Sequence, residues 1–368
     1  MFLIAFRNLI QEKTRLLISI GGVAFSVLLI MILQGLYQGW NFKMGEYIRT
    51  IPADFWVEQT GGKDMFHSIS ILPASAKSQI EQVNGVTSAK PFSGRRIAFD
   101  TNGKEIIIYL VGYDNQTGAG PVKVVQGKSN LANGEIIIDR SLSENKGIKL
   151  GQKVTIGERE FTVTGISEGG NLITLSYAFV NTAEADELFK LPGLTSYYIV
   201  QAEPNADKQE VARDIEAAVP GSKVVTKQQF VDDNTELIRE TFLPVILVLV
   251  LIGVAVGIAV IGLTIFTSTI EKAREYGVLK ALGVRNGQLY SIVLEQSLIA
   301  GVIGYIVGVI FAYTLSIIVG KFVSEFVTLL RVFDAVWIFG LTLLMAAIAA
   351  FLPARRLARI DPAEVFKS

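Results

Sequence analysis

The chain alternates between four long apolar segments and polar sequence, most of which lies between the first and second apolar segments. Each apolar segment approaches or exceeds the roughly 20 residues that a helix needs to cross a bilayer, and the first has no charged residue. The pattern therefore predicts an α-helical membrane protein with four transmembrane helices. Their predicted bounds are 16–37, 242–267, 291–319 and 332–352.

The polar segment, 38–240, contains strand patterns, polar helix patterns and turn signals, and no stretch of it is apolar enough to cross a membrane. It predicts a large α+β extracytoplasmic domain between the first two transmembrane helices. Strand–helix–strand patterns at 53–92 and 196–227 predict two β-α-β units that pack as one layer of sheet and helices. Strand patterns across 95–190, including the hairpin signal Asn102-Gly103, predict a β-rich lobe inserted between these units.

Basic residues cluster at three places beside the apolar segments, and the clusters lie in 1–15, 268–290 and 353–368. The first of these segments is predicted to be amphipathic and to lie along the membrane surface. The loop 320–331, between the last two spans, has only two basic residues, Lys321 and Arg331. Because basic residues in short loops mark the cytoplasmic side, both termini and the loop 268–290 are predicted to be cytoplasmic.

Composition limits the chemistry that the chain can perform. Half of the residues (50%) are hydrophobic and the mean hydropathy is +0.44, while 34 basic and 34 acidic residues give no net charge, so no nucleic-acid partner is expected. The absence of cysteine excludes disulfides and thiolate metal sites, and a single histidine, His67, cannot build a histidine metal cluster or a Ser-His-Asp site. We expect neither enzymatic activity nor a metal or cofactor in this chain.

One segment ends like a phosphate-binding loop. Its sequence is Gly120-Pro-Val-Lys-Val-Val-Gln-Gly-Lys-Ser129. The phosphate-loop pattern requires glycine where Val122 stands, so nucleotide binding is not expected there. Since the sequence has no Walker motif, we expect ATP to be bound by a separate chain.

The most charged stretch near any span is the loop 268–290. If the chain is helical from Val278, then Val278, Leu279 and Leu282 lie within an arc of about 100°, Lys280 faces away, and Gly283 suits the helix end. This pattern predicts a short amphipathic helix that forms a cytoplasmic contact surface. An ordinary basic loop beside the membrane is the alternative. The predicted contact residues are Glu271, Lys272, Arg274, Glu275, Tyr276, Val278, Leu279, Lys280, Leu282 and Gly283.

Small residues recur at helix-packing spacing in two of the predicted spans, at Gly253, Gly257, Gly301, Gly304 and Gly308. They predict close helix contacts, either within one subunit or between two copies. Glu295 is an ionisable residue about one turn inside the third span, which makes it a candidate membrane site. It could anchor the helix structurally or handle substrate or protons. Gln34, Met31 and Tyr37, near the end of the first span, could line a cavity or simply pack.

Three motifs resemble a known family. The run Glu271-Lys-Ala-Arg-Glu-Tyr-Gly-Val-Leu-Lys-Ala-Leu-Gly283 resembles the R-x-x-E-x-G-x-L-x-A-x-G signature of ABC-transporter permeases of the MacB/FtsX-like superfamily. Leu352-Pro-Ala-Arg-Arg-Leu-Ala-Arg-Ile-Asp-Pro-Ala-Glu364 is similar to the tail motif of that superfamily. Glu12-Lys-Thr-Arg-Leu-Leu-Ile-Ser-Ile-Gly-Gly-Val-Ala-Phe25 resembles the start of span one in its DevC-like and HrtB-like branch, in which the ATPase is not fused.

This resemblance implies a non-catalytic permease subunit in the bacterial cytoplasmic (inner) membrane. Its expected partners are an ABC ATPase in trans, a second copy of the chain, membrane lipid and, in a two-membrane envelope, a periplasmic membrane-fusion adaptor. The implied function is mechanotransmission, in which ATP-driven motion received at the 268–290 loop moves the exported domain and expels a hydrophobic or amphipathic substrate. The alternative is an FtsX-like subunit that signals across the membrane to an extracytoplasmic partner without transport.

Overall fold

The computed structural model describes residues 12–358, except 102–103, 115–116, 118, 174, 191 and 324. Most of the predicted N-terminal amphipathic segment, the end of the predicted tail and the Asn102-Gly103 turn therefore lie outside the described residues. The chain divides into two compact units. One consists of residues 1–39 and 241–368, hereafter the helical unit, and the other of residues 40–240, hereafter the 40–240 domain.

The helices and strands follow one another in a simple order. They are α1 (Lys13–Thr50), β1 (Phe55–Gln59), β2 (Leu72–Pro73), α2 (Ala76–Glu81), β3 (Val86–Phe92), β4 (Gly94–Thr101), β5 (Lys104–Tyr113), β6 (Lys123–Gly127), β7 (Glu135–Asp139), α3 (Arg140–Lys146), β8 (Lys153–Ile156), β9 (Arg159–Glu168), β10 (Tyr177–Asn181), α4 (Thr182–Phe189), β11 (Leu194–Thr195), β12 (Tyr197–Ala202), α5 (Lys208–Ala218), β13 (Ser222–Thr226), α6 (Lys227–Glu271), α7 (Ala273–Ala281), α8 (Asn286–Phe322) and α9 (Val332–Ala358).

Four helices, α1, α6, α8 and α9, are long and apolar enough to cross a membrane. They are longer than the predicted spans, because hydropathy locates the apolar part of a helix and does not show where the helix ends. α1 continues past residue 37 to Thr50 and ends just before Pro52, whose ring disfavours helix in the preceding residue. α6 begins at Lys227, well before residue 242. Thr226 caps its start, because Thr226 Oγ1 accepts the backbone N–H of Gln229 at 3.2 Å.

Close packing in the helical unit depends on glycine. A Cβ added at Gly304 would lie 2.5 Å from Val23 Cβ, and one added at Gly308 would lie 2.7 Å from the carbonyl oxygen of Ala24. α8 therefore approaches α1 more closely than any residue with a side chain would permit. Around these contacts lies a buried apolar cluster drawn from all four long helices, which includes Val27, Ile261, Leu289, Ile292 and Ala346.

The first sheet of the 40–240 domain confirms the two predicted β-α-β units. β1-α2-β3 and β12-α5-β13 each contribute two strands and a helix, and the strand order is β13-β1-β12-β3 with every neighbouring pair antiparallel. The two strands of each unit are thus separated by a strand of the other, so the units interlock in one sheet. Phe55, Val57, Ile80 and Ile215 lie in the core between this sheet and its helices.

The inserted lobe is a seven-stranded sheet whose strand order is β6-β9-β7-β10-β5-β4-β8, and an additional β9–β8 pairing closes six of its strands into a ring. Closure removes free edges from the ring itself, whereas β6 lies outside it and pairs only with β9 among the described strands. Phe99, Ile108, Ile136 and Phe161 are among the residues that fill its core. This lobe matches the predicted β-rich insertion, although closure of the sheet has no counterpart in the sequence prediction.

Candidate functional site

The loop 268–290 contains the short helix α7 between α6 and α8. α7 ends in a Schellman motif, in which the backbone N–H of Gly283 donates to Lys280 O at 3.0 Å and that of Val284 donates to Leu279 O at 3.1 Å. Gly283 has a φ of +91°, a left-handed conformation that glycine adopts without a Cβ clash. The predicted glycine end of this helix is confirmed.

α7 is anchored to the helical unit on one side and exposed on the other. Tyr276 is 3% exposed and belongs to the buried cluster, against which Leu279 and Val284 also pack. One helical turn apart on the opposite side, Val278 and Leu282 are 39% and 77% exposed. We call these two side chains the Val278/Leu282 pair.

This arrangement divides the predicted apolar face. Leu279 lies within the predicted arc, but it is only partly exposed because it packs against the buried cluster of its own chain. The angular positions of the three residues gave no information about which edge of the arc faces the bundle. The apolar contact surface that α7 offers is therefore the Val278/Leu282 pair.

A charged cluster connects the start of α7 to the start of α1. Glu12 lies at its centre: Oε1 is 3.1 Å from Lys272 Nζ and accepts Ser268 Oγ–H at 3.2 Å, while Oε2 accepts Arg15 Nη1–H at 2.9 Å. Arg15 also pairs with Glu271. We call Glu12, Arg15, Ser268, Glu271 and Lys272 the Glu12 cluster. The pairing of these residues was not predicted, because no sequence pattern relates residues at opposite ends of the chain.

The Glu12 cluster changes the role expected for Lys272. Its side chain is 12% exposed and faces Glu12, so it positions α7 and does not form part of an open rim. Burial alone would raise the pKa of the Glu12 carboxyl, but the ion pair with Lys272 and hydrogen bonds from Arg15 and Ser268 outweigh burial and hold the pKa below its ordinary value. Glu12 is therefore charged at neutral pH.

The remaining predicted contact residues differ in exposure. Arg274 and Glu275 are exposed beside the Val278/Leu282 pair, whereas Lys280 is half-buried. The exposed surface of α7 thus combines two aliphatic side chains with one positive and one negative side chain. Such a mixture is typical of the apolar centre and polar rim of a protein contact.

Glu295 lies in α8, away from the residues of α7. It is half-buried, and its Oε2 is buried without a hydrogen-bond partner among the residues that the structure describes. The neighbouring Gln296 and Ser297 are buried. An unpaired carboxylate oxygen in an apolar bundle is costly, which keeps Glu295 a candidate membrane site without deciding between its two predicted roles.

The five predicted packing glycines all contact other helices of the same chain. A Cβ at Gly253 would contact Ile30, one at Gly257 would meet Met345 and Ser26, and one at Gly301 would meet Ala346. Gly304 and Gly308 pack on α1, as described above. These positions are therefore filled within one subunit, and they offer no free surface to a second copy.

One polar site at the other end of the bundle was not predicted. Asp334, in the first turn of α9, is 3% exposed, and its Oδ1 accepts Gln34 Nε2–H at 3.1 Å and Trp337 Nε1–H at 3.3 Å. Gln34 is thus held by a carboxylate, while Met31 is buried in the apolar cluster. An acidic residue inside an apolar segment was the available signal for this site.

Side chains that could ligate a metal are scattered across the described part of the chain. No group of three or more His, Asp or Glu side chains suited to a metal ion occurs among the described residues. His67, exposed in the 40–240 domain, has its Nδ1 3.0 Å from Asp64 Oδ1.

Two family models match the chain. Residues 16–218, more than half of it, match the MacB-like periplasmic core domain, and residues 247–362 match the FtsX-like permease C-terminal domain. The first match includes all but the first three residues of α1 and most of the 40–240 domain. The second includes the C-terminal part of α6, the Val278/Leu282 pair, α8 and α9.

Full-length relatives are also similar to this chain. An uncharacterized ABC transporter permease of Mycobacterium tuberculosis is 22% identical over 100% of this chain and 99% of its own length. A relative from Staphylococcus haemolyticus, named as the HrtB permease protein of a hemin transport system, is 23% identical over 91% of each chain. Among solved structures, the periplasmic region of MacB from Actinobacillus actinomycetemcomitans aligns over 54% of this chain and 99% of its own, with 15% identity and a TM-score of 0.38.

Proposed function

Because the chain belongs to the MacB-like and FtsX-like family of ABC-transporter permeases, we propose that it is the permease of an exporter whose separate ATPase binds α7. The cargo is a hydrophobic or amphipathic molecule. The relative named for a hemin transport system supports transport over an FtsX-like signalling role. The chain itself is a multi-pass membrane protein with four candidate membrane helices.

The observation that carries the proposal is the exposure of Leu282. This side chain is 77% exposed at the end of a helix whose other side is anchored by buried Tyr276. A large aliphatic side chain that remains in water on a fixed helix loses the stabilisation of burial, about 1.5–3 kcal/mol for full burial. A groove on a partner would recover that free energy, and apolar anchors of this kind contribute most of the affinity in protein contacts.

The Glu12 cluster makes α7 suitable for transmitting motion. A helix held by a buried tyrosine, a Schellman motif and a set of ion pairs moves with the helices to which it is attached. α6, which precedes it, is continuous from Lys227 to Glu271. In the proposed mechanism, the ATPase shifts α7, and α6 and α1 carry that displacement toward the 40–240 domain.

The proposed assembly contains two copies of the chain on a pair of ATPase subunits. Both termini and α7 are placed in the cytoplasm, and the 40–240 domain lies outside the bacterial inner membrane. The three basic clusters support this orientation. A membrane-fusion adaptor would join the assembly in a two-membrane envelope.

Leu282→Asp tests the contact. A carboxylate buried in a groove without a partner costs about 3–5 kcal/mol, which would weaken ATPase binding by a few hundred-fold or more. The tagged full-length variant is purified in detergent from its own cells, and the yield of co-purified ATPase and its ATP turnover are measured. Both should be lost. Native mass measurement of the unmutated complex should give two copies of this chain for each ATPase pair.

Leu150→Asp is the matched control, because Leu150 is a 47% exposed leucine in the 40–240 domain. The same chemical change there should leave ATPase yield and turnover unaffected. Wild-type ATPase yield with Leu282→Asp would show that α7 is an ordinary connector between two spans. A single copy of the chain on the ATPase pair would refute the dimer.

A further inference from the structure

A cleft in the 40–240 domain lies between the loop that precedes β2 and the β4–β5 strand pair. Its volume is about 450 Å³, within the range of roughly 300–1,000 Å³ that is usual for small-molecule sites. The loop side is formed by residues 65–70, and residues 94–98 of β4 together with Glu105 and Ile107 of β5 form the other side. The cleft is concave and contains both apolar and charged side chains.

Two exposed isoleucines distinguish this cleft from the rest of the domain. Ile69 is 62% exposed and Ile107 is 50% exposed, and both line the cleft. They are the two most exposed large apolar side chains among the described residues of the 40–240 domain. Exposed apolar side chains gathered at one concave place indicate an apolar ligand surface, whereas isolated ones need no explanation.

The loop that carries Ile69 is held in place by side-chain hydrogen bonds. Asp64 Oδ1 accepts the backbone N–H of Phe66 at 2.7 Å, and the backbone N–H of Met65 donates to Asn234 Oδ1 at 2.8 Å. Phe66 is buried and packs edge-on against a tyrosine of β5. Ile69 therefore stays exposed on a fixed loop, so a ligand would pay little to order it.

A positive charge lies beside the isoleucines. On β4, Arg96 is two residues from Ala98, which pairs directly with Ile107 across the strands. Arg96 and Ile107 are thus diagonal neighbours on one face, about 7–8 Å apart. The guanidinium makes one long hydrogen bond, 3.4 Å from Nη1 to the carbonyl oxygen of Phe66, and forms no ion pair with any carboxylate in the described residues.

The acidic groups nearby leave this charge available. Asp64 accepts hydrogen bonds from its own loop and from His67 Nδ1 at 3.0 Å. Glu105 is exposed to solvent and lies opposite Asp100, two positions along β5 from Ile107. Arg96 therefore retains donors for an anion, and carboxylate and phosphate groups match the geometry of guanidinium donors.

We propose that this cleft binds a small amphipathic molecule that carries one anionic group. The anion bonds to the Arg96 guanidinium, and the aliphatic part lies between Ile69 and Ile107. The diagonal positions of Arg96 and Ile107 on one face suit a molecule that has a charged head beside an aliphatic part. Such binding goes beyond the proposed function, because it requires neither the ATPase nor the contact at α7.

The absence of cysteine from the chain permits a direct test in the full-length protein. Ala98→Cys places one thiol in the cleft and keeps Arg96 and both isoleucines. The protein is reconstituted in phosphatidylcholine nanodiscs, and the rate of reaction with a small charged maleimide is measured. Octyl phosphate should slow the reaction at least fivefold at saturation, whereas inorganic phosphate and octyltrimethylammonium should slow it less than twofold.

Two variants identify the source of any protection. Adding Arg96→Gln to Ala98→Cys should raise the half-protecting concentration of octyl phosphate at least tenfold, since a charge-assisted contact is lost. Leu150→Cys, an exposed site outside the cleft, should react at one rate with or without octyl phosphate, and an unchanged thermal unfolding temperature of the Arg96→Gln protein shows that the domain is folded.

Three results would overturn the inference. Equal protection by octyl phosphate and octyltrimethylammonium would show non-specific apolar partition. Protection that survives Arg96→Gln would remove the anion contact. Absence of protection by octyl phosphate would mean that the cleft takes a different occupant, such as the side chains of a protein partner. None of these results depends on whether α7 binds an ATPase.

Discussion

Removing the Glu12–Lys272 ion pair should loosen α7 by an amount that can be calculated from the structure. The charges are 3.1 Å apart, and the side chains of Lys272 and Glu12 are 12% and 21% exposed. At an effective dielectric constant of about 20, their attraction is about 5 kcal/mol. Desolvation of both groups and the lost freedom of the lysine side chain offset most of it. We expect a net coupling free energy of about 1–2 kcal/mol.

Hydrogen exchange measures this quantity at the helix itself. Full-length protein is prepared with Glu12→Gln, with Lys272→Met and with both changes. The exchange rates of the α7 amides are compared under conditions in which the helix closes faster than an open amide exchanges, so that each rate reports the opening equilibrium. A loss of about 1–2 kcal/mol should accelerate exchange by about 5–30-fold in each single variant. The double variant should be about as fast as Glu12→Gln, because that change already removes the interaction that Lys272→Met removes.

An exposed ion pair provides the control for this cycle. Lys153 and Glu160 are 2.8 Å apart on β8 and β9, with side chains 68% and 64% exposed. Glu160→Gln should leave the exchange of the amides around that pair within about twofold of wild type, because exposed ion pairs contribute little. Additive effects of the Glu12 and Lys272 changes on α7, or exchange within twofold of wild type, would refute the assigned role of the Glu12 cluster.

The pH dependence of the same measurement has a definite sign. The pKa of Glu12 is lowered in the folded protein, so its contribution is fully present above the ordinary value of 4.5 and is lost as pH falls through the folded-state pKa. After correction for intrinsic exchange, the difference between wild type and Glu12→Gln should be constant near neutral pH. It should shrink below pH 4.5.

Two further predictions concern packing and orientation. Gly308→Ala should destabilise the helical unit by about 1–3 kcal/mol, because the added methyl would lie 2.7 Å from the carbonyl oxygen of Ala24. Gly340→Ala is the control, since a methyl added there would have nothing within 4 Å. Equal thermal stability of the two detergent-purified variants would contradict the packing argument. A single cysteine at the exposed Ser129 should react with an impermeant maleimide in intact spheroplasts, and labelling only after lysis would reverse the proposed orientation.

The large elements could be predicted because their signals are local. A run of apolar residues as long as a bilayer is thick is visible in any window of the sequence, and so is a strand–helix–strand pattern. The interlocked order β13-β1-β12-β3 and the closing β8–β9 pairing are decided by packing between distant segments. Hydropathy also could not locate the ends of α1 and α6, because both helices continue through polar residues.

In the candidate site, too, local sequence patterns predicted some features, whereas contacts between distant residues decided others. Helical geometry fixed the relative directions of Val278, Leu279 and Leu282, but the direction of the bundle core decided that Leu279 is inside and Leu282 outside. Similarly, the charge of Lys272 was evident, whereas its partner Glu12 precedes α1 at the other end of the chain. Charge and helical spacing therefore predicted a candidate surface, and tertiary contacts determine which of its side chains are exposed.

Exposure of Leu282 has one competing physical explanation, namely insertion of its side chain into the membrane interface beside the spans. Many aliphatic side chains of α6 and α8 are exposed in a single copy because lipid covers them, as for Leu251 and Ile310. Leu282 differs in that it follows the charged stretch of α7 and precedes Arg285 in the loop before α8. A lipid-inserted leucine would affect the protein only where a bilayer is present. Mixing the separately purified Leu282→Asp chain with purified ATPase in detergent distinguishes the two explanations: binding weaker than that of the unmutated chain favours a protein groove, because no bilayer is present during that assembly.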